Sequence, residues 1–448
     1  MSRGELLATV RRVAGGLRNA GLGPGSGLGL VLSLSPEAYA VHLAAHALGC
    51  RVAAARPGWS RPQLADAMRG KVDAVVSDLP PAGLEGVPVL PLADLLARAD
   101  PGGSVPELAR PDDIARLTYT SGSTGEPKAC AHTYRAISLA YLPDRWAPVL
   151  AELLTRFKRC LIIQNLASPV MFTYLGRCLV TGGTAVIADG LAMPEAIERH
   201  RITATMMPPS RLDQLMRSGA DLSSLRAVVL GGSPAGPQLL RAATERLGPM
   251  VWQGYGQGEA GVISMLTPED IVAGHVASVG RPLPAVEVAI RDGEVCVRSP
   301  HMMSGYWNDP EQTADVLRDG WLHTRDLGYL DADGLLHLTG RARDVIMVNA
   351  EVCYAGAIER VLAGHPQVAQ AYVVGVPDPE TGEAIHAFVV PAGDQVPDRE
   401  VLIELVRQRL SANCVPKFIT AIQEVPVSTS GKPDKRALLG RTVAAPPA

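Results

Sequence analysis

The sequence predicts an α/β protein, with a large N-terminal domain of doubly wound sheets followed by a small α+β domain. Three observations predict it. Short apolar runs alternate with helix-like stretches over the first three-quarters of the 448 residues, that alternation stops near Gly340, and a strand-rich segment of about a hundred residues follows. The boundary is expected between 340 and 341, giving domains 1–340 and 341–448.

The early elements run in order. LGLVLS (28–33), PEAYAVHLAAHALGC (36–50), RVAAARP (51–57), RPQLADAMRG (61–70) and VDAVVSD (72–78) read as strand, helix, strand, helix, strand, the pattern of βαβ units in a parallel sheet. LIIQN (161–165), TAVIA (184–188), ATMMP (204–208) and LRAVVLGG (225–232) continue it, each followed by a helical stretch. Beyond Gly340 come a helix at AIERVLAGH (357–365), two β-runs at AQAYVVGVP (369–377) and AIHAFVVP (384–391), and a helix at REVLIELVRQRLS (399–411).

Composition narrows the functional classes. Net charge is only -3, with 42 basic and 45 acidic residues, so no electrostatic footprint for nucleic acid or an anionic membrane is expected. The opening MSRGELLATVRRVAGGL lacks the unbroken apolar core and small-residue cleavage site of a secretory leader, and no apolar stretch reaches spanning length. Seven scattered cysteines without metal-ligand spacing read as reduced thiols of a cytoplasmic protein. His42 and His46 lie four apart, as helix-borne metal ligands do, yet no adjacent Glu or third ligand accompanies them, and ordinary helix histidines are the expectation.

The strongest chemical signal is LTYTSGSTGEPKA (117–129). A strand runs into small and hydroxylated residues, where Gly122 and Gly125 permit close backbone approach to an anion and Thr120, Ser121, Ser123 and Thr124 add hydroxyl donors. Lys128 then supplies a point charge for phosphate oxygens. A Ser/Gly linker is the bland alternative, but linkers are seldom led in by a strand and closed by Pro-Lys.

With this loop the chain resembles the acyl-adenylate-forming enzymes, the superfamily of acyl-CoA synthetases, peptide-synthetase adenylation domains and luciferases. Further landmarks follow in the family's order: GGSP (231–234), GYGQGEAG (254–261), the stretch 304–328 ending in HTRDLG, GRARDVIMVN from Gly340, and STSGKPDKRAL (428–438). The resemblance implies that Gly231, Gly232, Ser233 and Pro234 border adenine, that Tyr255 stacks on it, and that Glu259 holds Mg²⁺. It further implies that Asp326 binds both ribose hydroxyls, that Arg341 meets ribose or phosphate, and that Arg343 is the hinge of a mobile C-terminal lid. Lys432 would bridge acid and α-phosphate, making Lys432, Glu259 and Lys128 the catalytic set, with ATP, Mg²⁺ and, for a thioester product, CoA as the small molecules used.

Charge cancellation argues the same way on physical grounds, because a carboxylate attacking the α-phosphorus of ATP brings two anions together. Taken singly, Asp326 reads as a turn residue, Tyr255 as a packed aromatic and Lys432 as a solvated loop charge; only the ordered set gives them chemistry.

Several positions depart from the family. Gly258 stands for the usual Thr, Arg325 for the Gly before the ribose Asp, Ala129 for the Gly after Lys128, and Met347 and Ala350 for Lys and Gly in the first strand and turn of the C-terminal domain. The loss of glycine at 350 weakens the case for a pantetheine channel. Substrate contacts are expected from Ser168, Pro169, Val170 and Thr173, from the region of Gly231, and from Gln253, Gly256 and Gly258. With no acidic residue in 164–176 to meet an ammonium group, the expected substrate is an aromatic or short aliphatic acid activated as acyl-AMP with release of pyrophosphate. The acceptor expected first is CoA or a carrier-protein pantetheine, then an amine; activation of an unusual acid in specialised metabolism and an inert nucleotide-binding homologue are the rivals. Monomer and homodimer are both open.

Overall fold

The computed structural model describes residues 1–79, 83–121, 127–188, 190–233, 235–342, 344–349, 351–393, 395–427, 433–435 and 437–438, with only the backbone at 121 and 127. The chain forms two compact units: one comprises 1–205, 257–261 and 299–322, the other 206–256, 262–298 and 323–448.

In the first unit β1 (Gly27–Val31), β2 (Arg51–Ala54), β3 (Ala74–Ser77), β4 (Val89–Pro91), β5 (Ile114–Ser121), β6 (Pro127–Thr133) and a short strand at Gly305–Tyr306 form one sheet. β1 pairs in parallel with β2 and β3, and β2 with β5, as βαβ crossovers require, whereas β5 and β6 form an antiparallel pair. Helix starts are chemically marked. Ser2 with Glu5 and Ser60 with Gln63 form reciprocal capping boxes, and Ser35 caps the helix Pro36–Ala47. Val13, Leu17, Leu28, Leu48 and Val52 are fully buried in one apolar cluster of this unit. β7 (Arg159–Ile162) pairs in parallel with β8 (Thr184–Ile187) and with the start of β9 (Ala204–Met207).

In the second unit β10 (Ala227–Leu230) and β11 (Val251–Gln257) are parallel, and β12 (Gly261–Leu266) runs antiparallel to β13 (Arg281–Pro282). β14 (Glu287–Arg291) and β15 (Glu294–Arg298) form a hairpin. Asp292 and Gly293 at its turn have φ of 50° and 79°, the left-handed pair that a type I′ turn demands. After the short β16 of the first unit, already placed at Gly305–Tyr306, and β17 (Leu317–Arg318), the long β18 (Trp321–Leu330) pairs with β19 (Leu336–Arg341).

Residues 345–438 build their own sheet: β20 (Val345–Val348) and β21 (Glu351–Tyr354) form a hairpin, β22 (Val368–Asp378) and β23 (Gly382–Pro391) a long antiparallel pair, and β24 (Phe418–Ala421) lies parallel to β23. Helices Ala355–Ala363 and Arg399–Arg409 bury Ile358, Leu362, Leu402 and Val406 against Ile346, Val373 and Val389. The α/β class with a smaller C-terminal α+β region is as the sequence predicts. No helix among the described residues is long and apolar enough to cross a membrane.

Candidate active site

Two clusters, one in each unit, gather predicted site residues that the structure describes. In the first unit β5 and β6 set Thr120 opposite Lys128, so both side chains leave the same face of the ribbon. Thr120 donates its hydroxyl to Glu259 Oε1 at 3.3 Å, and Tyr306 donates to the same oxygen at 3.0 Å. Lys128 Nζ lies 5.0 Å from the centre of the Tyr306 ring. The backbone N–H of Met303 donates to the Glu259 carbonyl at 2.8 Å and fixes the turn. Among the described residues Glu259 has no ion-pair partner, and its half-exposed carboxylate is oriented by hydroxyls, with the Cys130 thiol also beside it. A single carboxylate flanked by hydroxyl oxygens is a hard donor set that fits Mg²⁺, which is bound through one or two carboxylates and otherwise keeps water and phosphate oxygens.

The glycine at 258 has a local reason. A Cβ there would stand 2.4 Å from the Thr120 methyl, so a threonine at 258 and Thr120 in its present place exclude each other.

Beside this cluster sits a buried polar group. His132 faces Arg116 across β5 and β6, and burial, followed by the nearby guanidinium, lowers its pKa to about 4. Arg116 is itself buried, lies 4.9 Å from the Phe172 ring centre, and donates to the carbonyls of Leu166 at 2.7 Å and Ala167 at 3.2 Å. Burial lowers the Arg116 pKa to about 10. His42 and His46 pack on Phe172 as core histidines; burial, with Arg116 second, brings His46 down to about 3, and His42 is lowered too.

In the second unit Asp326 is 3% exposed and lies directly across from Arg341 on β18 and β19. Arg341 Nε donates to Asp326 Oδ1 at 2.8 Å, and the Tyr255 hydroxyl donates to Oδ2 at 2.6 Å. Burial, then the Asp326 charge, pushes the Tyr255 pKa well up; burial pulls Arg341 down, but Asp326 together with Asp344 and Tyr255 outweighs it and the net shift is upward. Tyr255 therefore meets Asp326 through its hydroxyl, an orienting role that the sequence did not assign to it.

Arg325 adopts φ of 61°, the left-handed region in which glycine is at home, which explains the family's preference there. This strained position within β18 is clamped: the Arg325 N–H donates to Glu294 Oε1 at 2.7 Å, the other oxygen of Glu294 meets His323 Nδ1 at 2.9 Å, and the Ala342 N–H donates to the Arg325 carbonyl at 2.9 Å. Glu294 is thus a residue the sequence reading missed, because its role comes from β15 lying next to β18 in the sheet.

The remaining candidates divide. Gln253 is buried and its Oε1 accepts the Ala235 N–H at 3.0 Å, so it shapes the 231–235 loop, in which Gly232 has φ of 88°, Gly231 and Ser233 are half-buried and Gly232 is exposed. Gly256 is exposed. Ser168 caps the helix Pro169–Val180, accepting from the Met171 N–H at 3.4 Å, with Pro169 in its first turn. Val170 is exposed and Thr173 hydrogen-bonds Tyr141. Gly122, Ser123, Thr124, Gly125, Pro234, Arg343, Ala350 and Lys432, and the Ser121 side chain, lie outside the described residues. Just past Lys432, Lys435 pairs with Glu359 at 2.9 Å and Asp344 at 3.4 Å.

Comparison with known proteins places this geometry in a family. Residues 1–307 match the profile of the AMP-binding enzymes, and residues 357–432 match the AMP-binding enzyme C-terminal domain. The feruloyl-CoA synthase of Amycolatopsis sp is 32% identical over 457 residues, 96% of this chain and 91% of that protein. The medium/long-chain-fatty-acid–CoA ligase FadD8 of Mycobacterium tuberculosis is 35% identical over 361 residues, which cover 74% of this chain and 62% of that protein. The solved structure of amide bond synthetase McbA from Marinactinospora thermotolerans superposes with a TM-score of 0.86 at 38% identity, covering 99% of this chain and 95% of that one. The chain belongs to the AMP-binding enzyme family, the acyl-adenylate-forming superfamily that its ordered motifs resemble.

Proposed function

We propose that the protein activates a small aromatic or short aliphatic acid with ATP, giving acyl-AMP and pyrophosphate, and then passes the acyl group to an amine. The observation that carries the first half is Glu259, a carboxylate steered by two hydroxyls and left without a counter-ion among the described residues. Mg²⁺ bound there would neutralise the phosphate oxygens and stabilise the charge of the departing pyrophosphate.

In this reading the chain's own groups do the rest. A carboxylate oxygen of the acid bonds to the α-phosphorus as the bond to pyrophosphate breaks. The loop 120–125 and Lys128 hold the phosphates; Asp326, its orientation fixed by Arg341 and Tyr255, accepts from the ribose hydroxyls. Lys432 bridges acid and α-phosphate, carried by a C-terminal domain 341–448 that turns about Arg343. Ser168 to Thr173 border the acyl group, with Arg116 holding their leading turn through two carbonyls.

For the acceptor, an amine is favoured by the 38% identity with an amide bond synthetase across 99% of this chain, and by alanine in place of glycine at 350. The amine nitrogen bonds to the acyl carbon, AMP leaves, and the nitrogen releases a proton. The second reading, transfer to CoA or a carrier-protein thiol, is favoured by the CoA-ligase relatives, one of them 32% identical over 96% of this chain. Pyrophosphate release with ATP, Mg²⁺ and a panel of acids tests the first half. Mass spectrometry of products with amines or CoA tests the second. Release that is independent of any acid would overturn the proposal, and acyl-CoA without amide would replace the amine by the thiol.

A further inference from the structure

Two thiols far apart in sequence meet in the C-terminal sheet. Cys353 lies on β21, where it faces Ile346 across the hairpin, and it is 1% exposed. Cys414 closes the single 3₁₀ turn Ala412–Cys414 that precedes β24. Their sulfurs are 3.2 Å apart across 61 residues of chain. A disulfide has its sulfurs about 2 Å apart, so closure needs a movement of only about 1 Å.

The surroundings keep the two sulfurs in register. The hairpin tip is tied to the same turn by Asn349 Nδ2 donating to Asn413 Oδ1 at 3.0 Å, and the Ser411 hydroxyl donates to Cys414 Sγ at 3.4 Å. All seven cysteines fall among the described residues, and Cys414 is the one not buried. A small oxidant therefore reaches this pair through Cys414 first. Burial, followed by the neighbouring Cys414, pushes the Cys353 thiol up, so it waits as a protonated partner.

We infer that Cys353 and Cys414 form a reversible disulfide modification site, addressed by a peroxide through Cys414, that cross-links the β20–β21 hairpin to the segment ahead of β24. The chemistry balances in two steps. The Cys414 sulfur attacks the peroxide O–O bond, becoming a sulfenic acid as one water leaves from hydrogen peroxide. The Cys353 sulfur then displaces the hydroxyl from Cys414, forming S–S and releasing a second water that carries off the Cys353 proton. Two thiols are oxidised and one peroxide is reduced.

The test exposes the folded full-length protein to stoichiometric hydrogen peroxide, blocks remaining thiols, and maps peptides without reductant. The expected result is one linked peptide pair containing Cys353 and Cys414, a mass lower by two hydrogens, and its reversal by dithiothreitol. Cys414→Ser abolishes the linked pair, and Cys50→Ser, a buried control, leaves it in place. Cys414 collecting oxygen as sulfinic acid with no linked peptide, or both thiols unchanged while the protein is fully exposed to peroxide, would overturn the inference.

Discussion

Glu259 and Asp326 offer the same functional group in opposite surroundings. Glu259 is half-exposed and bonded by the hydroxyls of Thr120 and Tyr306, whereas Asp326 is 3% exposed and bonded by the Arg341 guanidinium and the Tyr255 phenol. Neutral donors aim a carboxylate without cancelling its charge; a guanidinium cancels it and leaves an acceptor of fixed direction. In the proposed function the first would meet a divalent cation and the second sugar hydroxyls, a difference set by neighbours and not by residue type. Burial lowers the pKa of His42, His46 and His132 in the first unit, and in the second Lys435 pairs with Glu359.

The comparison breaks most sharply at Glu259. Glu259→Gln keeps the hydroxyl contacts and removes the charge, and acid-dependent pyrophosphate release is expected to fall about 10²- to 10³-fold, the scale of losing one preorganised electrostatic group. ATP binding without metal, measured calorimetrically, changes far less. Asp326→Asn acts on the other side: AMP affinity is expected to weaken roughly 10- to 100-fold, the worth of charged hydrogen bonds, while pyrophosphate affinity holds. Equal losses for both ligands would remove Asp326 from the sugar.

Acid should separate the two kinds of burial. An unfolded histidine takes a proton near pH 6.5, but His132 in the fold does so only near 4, so between these values the unfolded chain binds more protons and stability drops as pH falls. His132 alone accounts for about 2 kcal/mol of loss by pH 5, read as a lower urea midpoint than at pH 7. The smallest effect is expected at Arg325→Gly, which relieves left-handed strain and raises stability by about 1 kcal/mol, measured as a higher urea midpoint with activity kept.

Much of this was legible in residue order. Alternating apolar runs announced the parallel strands, and the hydroxyl-rich loop with Lys128, Glu259 and Asp326 named the chemistry before any geometry. The missed residues are those whose roles arise from cross-strand pairing. Tyr306 reaches Glu259 only because its strand pairs with β6, and Glu294 clamps Arg325 only because β15 lies beside β18. Gln253 and Ser168, expected at the substrate, have local tasks visible only in three dimensions, as a loop brace and a helix cap. Gly258 stands where the family usually has Thr, and the packing of Thr120 against it is visible only in three dimensions.

The most direct measurement is a Mg²⁺ titration of acid-dependent pyrophosphate release at saturating ATP in the wild type, Glu259→Gln and Asp326→Asn. A half-saturating Mg²⁺ concentration raised at least tenfold in the Glu259 variant and unchanged in the Asp326 variant is the predicted result. The same Mg²⁺ dependence in all three proteins would contradict the assignment of the Glu259 carboxylate to the metal.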